Sequence, residues 1–170
     1  IRDELEKNKF VDTLILSYAA KYSSSMYAPF RDAVGSSKNL KTDKKTYQMN
    51  ILNSDEAIRE ASMDIAEGAD MIMVKPGISY LDIIYRIKNE LKYPTFAYQV
   101  SGEYSLIKFG SQQGIINEET MVIEQLSSFK RAGADAIITY YAPKVSEFLK
   151  FFEVRYLNSE NVLNGYNSVQ

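Results

Sequence analysis

An internal repeat is the feature of this 170-residue sequence that most constrains its fold. Gly68-Ala69-Asp70 leads through four apolar residues to Lys75, and Gly133-Ala134-Asp135 leads through a similar run to Tyr140. Each copy follows a segment whose apolar residues have helical spacing. This pattern is typical of a helix, a glycine at its C-terminal end, and then a buried strand. The copies lie 65 residues apart, which is about two strand–helix units of roughly 30 residues each.

Signals for helices and strands alternate along the rest of the chain. We predict a short helix ending at Phe10 and further helices that begin after Ser54, at Ser79 (with Asp82 at capping-box spacing) and after Asn117. The predicted strands are Thr13–Tyr18, Met71–Val74, Thr95–Val100 and Ala136–Thr139. Near-continuous apolar strands joined by helices favour parallel pairing.

An eight-unit (β/α) barrel needs about 250 residues. We therefore predict an α/β fold in which this chain supplies the C-terminal four strand–helix units of a TIM (β/α)8 barrel, while an open sheet would also fit the pattern. Half a barrel leaves two sheet edges unpaired and should need a partner or the other half. Residues 1–149 form this unit. The long polar segment 26–48 is typical of an active-site lid, and residues 150–170 form a tail without an assigned catalytic role.

Composition excludes several classes of function. The chain has 20 basic and 22 acidic residues and a pI near 5.3, which argues against nucleic acid as a partner. No apolar run approaches the ~18 residues of a membrane span, so we expect a cytoplasmic protein, with a plastid as the alternative. Cysteine and histidine are both lacking. Thiolate zinc sites are thereby excluded for this chain alone, and acid–base chemistry falls to Lys, Tyr, Asp, Glu or water.

The four predicted strands are followed by Lys21, Lys75, Ser101 and Tyr140. In a barrel the C-terminal ends of the strands form one rim, where polar residues are typically functional. The run before Lys75 is wholly apolar, and lysine is rarely buried without a partner. The alternative for each lysine is that it leaves its strand and pairs with a carboxylate.

Two lysines in equivalent positions favour a chemical role. If both face one cavity about 4 Å apart, their repulsion at an effective dielectric of ~20 is on the order of 4 kcal/mol. That corresponds to roughly three pKa units and would bring a lysine from ~10.4 towards neutrality. A neutral amine can attack a carbonyl and form a Schiff base. A class I aldolase-like barrel would need only one such lysine, and a truncated, inactive half-barrel that acts through association is a further alternative.

Five segments carry a resemblance to a known family. They are Ser17–Tyr22, Tyr27–Ala33, Asp43–Gln48, Met73–Gly77 and Ala97–Tyr104. In this order they closely resemble motifs of the porphobilinogen synthase (5-aminolevulinate dehydratase) family, and the resemblance runs from about Ile1 to Leu149. It implies a TIM-barrel lyase of tetrapyrrole (heme and chlorophyll) biosynthesis. Such an enzyme condenses two molecules of 5-aminolevulinate into porphobilinogen, with loss of two waters, through Schiff bases on two lysines.

The resemblance also implies a role for each site residue. Lys75 would bind the P-side substrate and Lys21 the A-side substrate; Ser101 and Tyr140 would hold the P-side carboxylate, and Arg31 and Lys44 on the lid would hold the A-side carboxylate. The residue types suit these roles, since arginine binds carboxylates in bidentate fashion and lysine adds a point charge. Without the resemblance, the two lid residues would be interpreted as solvated charges.

Metal sites and assembly are likewise implied only by the resemblance. Glu60 matches a glutamate that holds an allosteric Mg²⁺ through water at a subunit interface in magnesium-stimulated members; the alternative is a solvated helix carboxylate. The family's cysteine-rich or aspartate-rich metal motif has no counterpart in these residues, so Zn²⁺ could be bound only by residues absent from this chain. The family also forms homo-octamers, and we expect one here.

Overall fold

The computed structural model describes residues 1–33 and 47–149. Its core is one sheet of four strands in the order β1-β2-β3-β4, with every neighbouring pair parallel. The strands are β1 (Leu16–Lys21), β2 (Met71–Lys75), β3 (Thr95–Gln99) and β4 (Ala136–Thr139). The helices are α1 (Arg2–Lys7), α2 (Ala28–Ala33), α3 (Asp55–Ala66), α4 (Leu81–Leu91), α5 (Ser101–Gln112), α6 (Glu118–Ala132) and α7 (142–149). The predicted alternation of parallel strands and helices is confirmed.

The two faces of the sheet differ because successive side chains in a strand point to opposite sides. Ile72, Val74 and Ala97 belong to the apolar core between the sheet and helices α3, α4 and α6. Lys75 and Tyr98 alternate with them and therefore lie on the opposite face. We call this opposite face the inner face, since it is the side that a closed barrel would enclose.

The second copy of the repeat forms a well-defined structure at the N-terminal end of the sheet. Gly133 ends α6 with φ +107°, a conformation that favours glycine. The Asp135 carboxylate accepts a hydrogen bond from the backbone N–H of Thr95 at 2.8 Å and pairs with the Lys88 amine at 2.7 Å. Asp135 thus fixes the start of the neighbouring strand β3.

The first copy makes the same contacts. Gly68 has φ +96°, and Asp70 accepts from the backbone N–H of Ile15 at 2.7 Å and pairs with Arg2. The sequence repeat is therefore also a structural repeat. Because it lies away from the C-terminal rim, we assign it to stability rather than to chemistry.

Strand β1 lies three residues later than predicted at both of its ends, and helix α1 ends three residues earlier than predicted. Strand β1 begins at Leu16 rather than Thr13, since the backbone N–H of Ile15 is bonded to the Asp70 side chain and its carbonyl to the Asp70 N–H. Helix α1 ends at Lys7 rather than Phe10, because Lys9 takes a left-handed conformation with φ +65°. Local contacts therefore overrode the apolar pattern at both points.

Three helix N-caps were predicted. Ser54 is the N-cap of α3 by position, but the Asn53 side chain, not that of Ser54, accepts from the first N–H groups of the helix. Ser79 lies inside a short 3₁₀ turn, Ile78–Tyr80, so the expected capping box with Asp82 does not form. Asn117 is the N-cap of α6, and its side chain accepts from the N–H of Thr120 at 3.0 Å.

The first part of the predicted lid is helical rather than a loop. A 3₁₀ turn at Ser25–Tyr27 leads into α2, while residues 34–46 and the tail 150–170 lie outside the described residues. Within residues 1–33 and 47–149, no helix is long and apolar enough to cross a membrane.

Candidate active site

Lys21 and Lys75 end neighbouring parallel strands and are Cα partners in the register of β1 and β2. A β-bulge makes this possible. Ser17 pairs with Ile72 and Ala20 with Val74, so three residue steps on β1 match two on β2. In a regular strand Lys21 would share the face of Ser17, whose hydroxyl bonds Asp64 on helix α3. The bulge instead turns Lys21 to the inner face beside Lys75.

The amine of Lys75 is surrounded by aromatic rings. Its Nζ lies 3.9 Å from the ring centroid of Tyr98, 5.2 Å from that of Tyr18 and 5.8 Å from that of Tyr27. Burial, and secondly the positive charge of Lys21, lower the pKa of Lys75 to about 8. The sequence predicts charge repulsion as the main cause, but burial is the larger one, because three tyrosines from separate segments cover the amine.

A small cavity of about 40 Å³ lies beside this amine. Its lining residues are Tyr27, Phe30, Lys75, Tyr98, Val100, Ser101 and Tyr140. The structure thus brings together three of the residues selected from the sequence, at the ends of β2, β3 and β4. Burial, followed by a hydrogen bond to Tyr140, raises the pKa of Tyr98 to about 12, so its hydroxyl remains protonated at neutral pH.

Hydrogen bonds join the start of the predicted lid to the strand ends. The Oγ of Ser101 accepts from the backbone N–H of Phe30 in α2 at 3.2 Å. The hydroxyl of Tyr27 donates to the carbonyl oxygen of Lys75 at 3.0 Å. Arg31 also lies in α2, whereas Lys44 is outside the described residues.

Lys21 and Glu60 line a second cavity, of about 340 Å³. It lies beside strand β1 and helix α3, and its lining is Tyr18, Ala19, Lys21, Tyr47, Gln48, Met49, Glu56, Glu60 and Asp64. Glu60 forms an ion pair with Arg59 at 2.9 Å. In the part of the chain that the structure describes, no three acidic side chains are grouped so that they could hold a metal ion.

A larger cavity, of about 600 Å³, lies elsewhere, between α6, β4 and α7. Most of its lining is apolar, and it contains none of the residues selected from the sequence. The candidate site is therefore identified by its chemistry and not by its volume.

Sequence analysis missed two groups of residues at the site. The first is the set of tyrosines around Lys75; alternation in Thr95–Gln99 could have placed Tyr98 on the face of Lys75. The second is Glu103, a buried carboxylate three residues after Val100 at the start of α5. The sequence offered only half of a capping box as a signal for Glu103, because the N-cap residue, Val100, has no side-chain acceptor to complete it.

Comparisons with known proteins agree with this geometry. The sequence model of one family, delta-aminolevulinic acid dehydratase, matches residues 1–148. The delta-aminolevulinic acid dehydratases of Bradyrhizobium diazoefficiens and Bacillus subtilis are each 52% identical to this chain, over 150 and 149 residues. These matches cover 88% of the chain but 42% and 46% of the relatives, so the chain spans less than half of their length.

A solved structure gives the same result for the fold. Delta-aminolevulinic acid dehydratase (porphobilinogen synthase) from Toxoplasma gondii, in complex with its reaction product porphobilinogen, superposes with a TM-score of 0.83 at 52% sequence identity. The match covers 87% of this chain and 42% of that one. The prediction that the four strand–helix units form the C-terminal half of a TIM barrel is thereby confirmed.

Proposed function

The chain belongs to the delta-aminolevulinic acid dehydratase family, and from this premise we propose that it condenses two molecules of 5-aminolevulinate into porphobilinogen, with loss of two waters. One observation carries the proposal: Lys21 and Lys75 are neighbours in register on one face of the sheet, and the pKa of Lys75 is lowered to about 8. Class I aldolase-like chemistry needs one such lysine, whereas this arrangement provides two.

Lys75 is the proposed nucleophile for the P-side substrate. With a pKa near 8, an appreciable fraction of its amine is neutral at physiological pH. The amine nitrogen adds to the ketone carbon, and the ketone oxygen leaves as water to give the imine. Ser101 and Tyr140 line the same cavity as Lys75. Their hydroxyls are suited to donate to the substrate carboxylate and so hold the ketone near the amine.

Lys21 is proposed to bind the A-side substrate through a second imine. Arg31 and Lys44 are proposed to bind the carboxylate of that substrate, since the family motifs place both residues on the segment that follows β1. Arg31 lies in α2, whose backbone is bonded to Ser101. This connection supports a lid that contacts both substrates.

Borohydride reduction tests the proposal, because it converts an imine into a stable secondary amine. With labelled 5-aminolevulinate we expect label on the peptides that carry Lys21 and Lys75. Lys75→Met should abolish P-side trapping, whereas Lys7→Met, on an exposed part of α1, should leave it unchanged. Full trapping by the Lys75→Met variant would contradict the P-side assignment, and a single labelled lysine in the wild-type protein would favour the aldolase-like alternative.

We further propose that Glu60 affects activity through water-bound Mg²⁺, as the family resemblance implies. Its carboxylate is only partly buried and faces the cavity that Lys21 also lines, which leaves room for solvent-mediated contact. Chelator should then lower wild-type activity, and Glu60→Ala should remove the response to added Mg²⁺. An unaltered Mg²⁺ response in that variant would leave Glu60 as an ordinary helix carboxylate.

Assembly and location are also proposed from the family. We expect a homo-octamer, which analytical ultracentrifugation of the full-length protein would test. We expect the cytoplasm as its location, with a plastid as the alternative.

A further inference from the structure

Glu103 is a buried carboxylate that the proposed reaction does not use. Only 1% of its surface is exposed. Its Oε2 accepts from the backbone N–H of Val100 at 2.6 Å, and its Oε1 accepts from that of Ile78 at 2.5 Å. A longer contact of 3.5 Å joins Oε2 to the N–H of Gly77.

All three backbone partners are donors, so the side chain has to act as an acceptor only. A carboxylate does so when it is ionised, whereas a protonated one would present a hydroxyl to N–H groups. Burial raises the pKa of Glu103, and the three backbone hydrogen bonds oppose that rise. The N-terminus of α5 adds a partial positive charge beside the carboxylate. Together these donors replace the water that the buried ion has lost.

The three donors come from two different strand ends. Gly77 and Ile78 belong to the turn that directly follows Lys75, and Val100 directly precedes Ser101. Glu103 therefore joins the end of β2 to the start of α5. Its hydrogen bonds thus connect the backbone segment that carries the Lys75 amine to the segment that carries the Ser101 hydroxyl.

The turn after Lys75 has little freedom to move in the packed structure. A Cβ on Gly77 would lie 2.5 Å from the Phe129 ring and 3.2 Å from the carbonyl oxygen of Tyr98. The carbonyl of Lys75 itself accepts from the N–H of Tyr22 at 2.9 Å. Packing thus limits the turn on its outer side, and Glu103 holds it towards α5.

We propose that Glu103 is a positioning residue, whose carboxylate fixes the distance between the Lys75 amine and the Ser101 hydroxyl and so sets the rate of imine formation. This inference rests on the proposed function. Glu103 does not contact substrate; it acts through the backbone of the two residues that do.

The test compares Glu103→Gln with the wild type in the full-length protein. Glutamine keeps the shape but points an NH₂ group at N–H donors, so the turn should shift. We expect borohydride trapping of 5-aminolevulinate at Lys75 to slow at least about tenfold, since a misplacement near 1 Å can cost about 100-fold. The shift of the turn should also expose the Lys75 amine to solvent. Because burial is the main cause of its lowered pKa, the pKa of Lys75 should then rise from about 8 towards 10.5.

The pKa measurement separates this inference from the proposed function. It follows arylation of Lys75 by trinitrobenzenesulfonate against pH, with peptide mass spectrometry, and needs no 5-aminolevulinate. If the wild-type protein fails to trap 5-aminolevulinate, the proposed function fails, while the effect of Glu103 on the Lys75 amine is still measured.

Asp135→Asn is the matched control, because Asp135 also accepts a backbone N–H, from Thr95, but at the opposite end of the sheet. It should lower stability while leaving trapping and the pKa of Lys75 unchanged. Glu103→Asp provides a second variant, which keeps the charge but is too short to span both strand ends, and it should show the same losses as Glu103→Gln. Wild-type trapping and pKa in either folded variant would overturn the inference, as would a failure of both to fold, which would indicate a role in folding alone.

Discussion

Lys75 lies among groups that act on its charge in opposite directions. The rings of Tyr98, Tyr18 and Tyr27 stabilise an ammonium ion over their faces, whereas burial and the charge of Lys21 destabilise it. Together, burial and the charge of Lys21 lower the pKa of Lys75 from 10.5 to about 8. The three tyrosine rings thus cover the Lys75 amine, while a fraction of the amine is still neutral near pH 8.

The coupling between the two lysines gives a prediction at this scale. Lys21→Met removes a positive charge that disfavours the ammonium form of Lys75, so the pKa of Lys75 should rise above 8. It should stay below 10.5, because burial, the larger cause, remains. At pH 7 the neutral fraction of the amine should fall by about tenfold for each unit of rise. Arylation of Lys75 against pH measures this directly. Lys7→Met is the control, and an unchanged pKa in Lys21→Met would show that the two amines are not coupled.

A second consequence concerns the pH dependence of stability. A lysine whose pKa is lowered by folding favours the folded state above 10.5, and this contribution is lost as pH falls through about 8. Lys75→Met should therefore have a higher melting temperature than the wild type at pH 6–7. The difference should shrink as pH rises through 8 and vanish near 10.5. A constant difference across that range would indicate that packing of the methionine, and not the buried charge, is responsible.

At the scale of elements, the bulge in β1 marks the limit of what sequence could show. Strict alternation puts Ser17, Ala19 and Lys21 on one face, which is the face covered by α3. The structure places Lys21 on the other face because one extra residue is accommodated between Ser17 and Ala20. No glycine in this segment signals a bulge. The lysine could be found from its position at a strand end, but the reason that it faces Lys75 could not.

The repeat was predictable because both copies carry the same glycine and aspartate at the same spacing, although the contacts of the two aspartates are long-range. It also yields a stability prediction. Gly133 has φ +107°, and a Cβ there would lie 2.9 Å from Cγ of Lys88, the residue that pairs with Asp135. Gly114 has φ +69°, and a Cβ there would have nothing within 4 Å. Gly114→Ala should thus cost about 1 kcal/mol for its left-handed backbone. Gly133→Ala should cost more, since its φ is less favourable for alanine and Lys88 must move.

Urea unfolding followed by circular dichroism would compare the two variants. Equal losses of the free energy of unfolding would mean that the Lys88 stem adapts without cost and that the repeated glycine serves only the backbone. A double-mutant cycle would test whether Gly133 and Asp135 act through the same lysine. If they do, Asp135→Asn should lower the free energy of unfolding less in the Gly133→Ala variant than in the wild type.

For the whole molecule, the number of strands and their parallel pairing were predicted from the sequence, because each apolar run is near-continuous and each helix is amphipathic. The pattern alone left a barrel and an open sheet both possible. The cover over Lys75 did not, since it depends on long-range contacts between Tyr27, Tyr98 and β2. In the described residues β1 and β4 each pair with one strand only. Tyr18 and Tyr140 remain 50% and 44% exposed beside these edges. The inner face of the sheet is therefore only partly enclosed by the residues described.

This partial enclosure predicts how the 170 residues should behave when expressed alone. Lys21 lies on edge strand β1, which pairs with one strand only in the described residues, so an imine there would be less protected from hydrolysis than in a closed barrel. We expect no porphobilinogen formation from these residues by themselves. The Bacillus subtilis relative has a part that the match does not cover. Co-expression of the 170 residues with that part should complete the barrel and restore the formation of porphobilinogen. The same mixture with Lys75→Met should stay inactive, which excludes activity from the added part. If the 170 residues alone formed porphobilinogen as fast as the mixture, the open sheet would already hold both substrates. If a well-folded mixture were inactive, the alternative of an inactive half-barrel would be favoured.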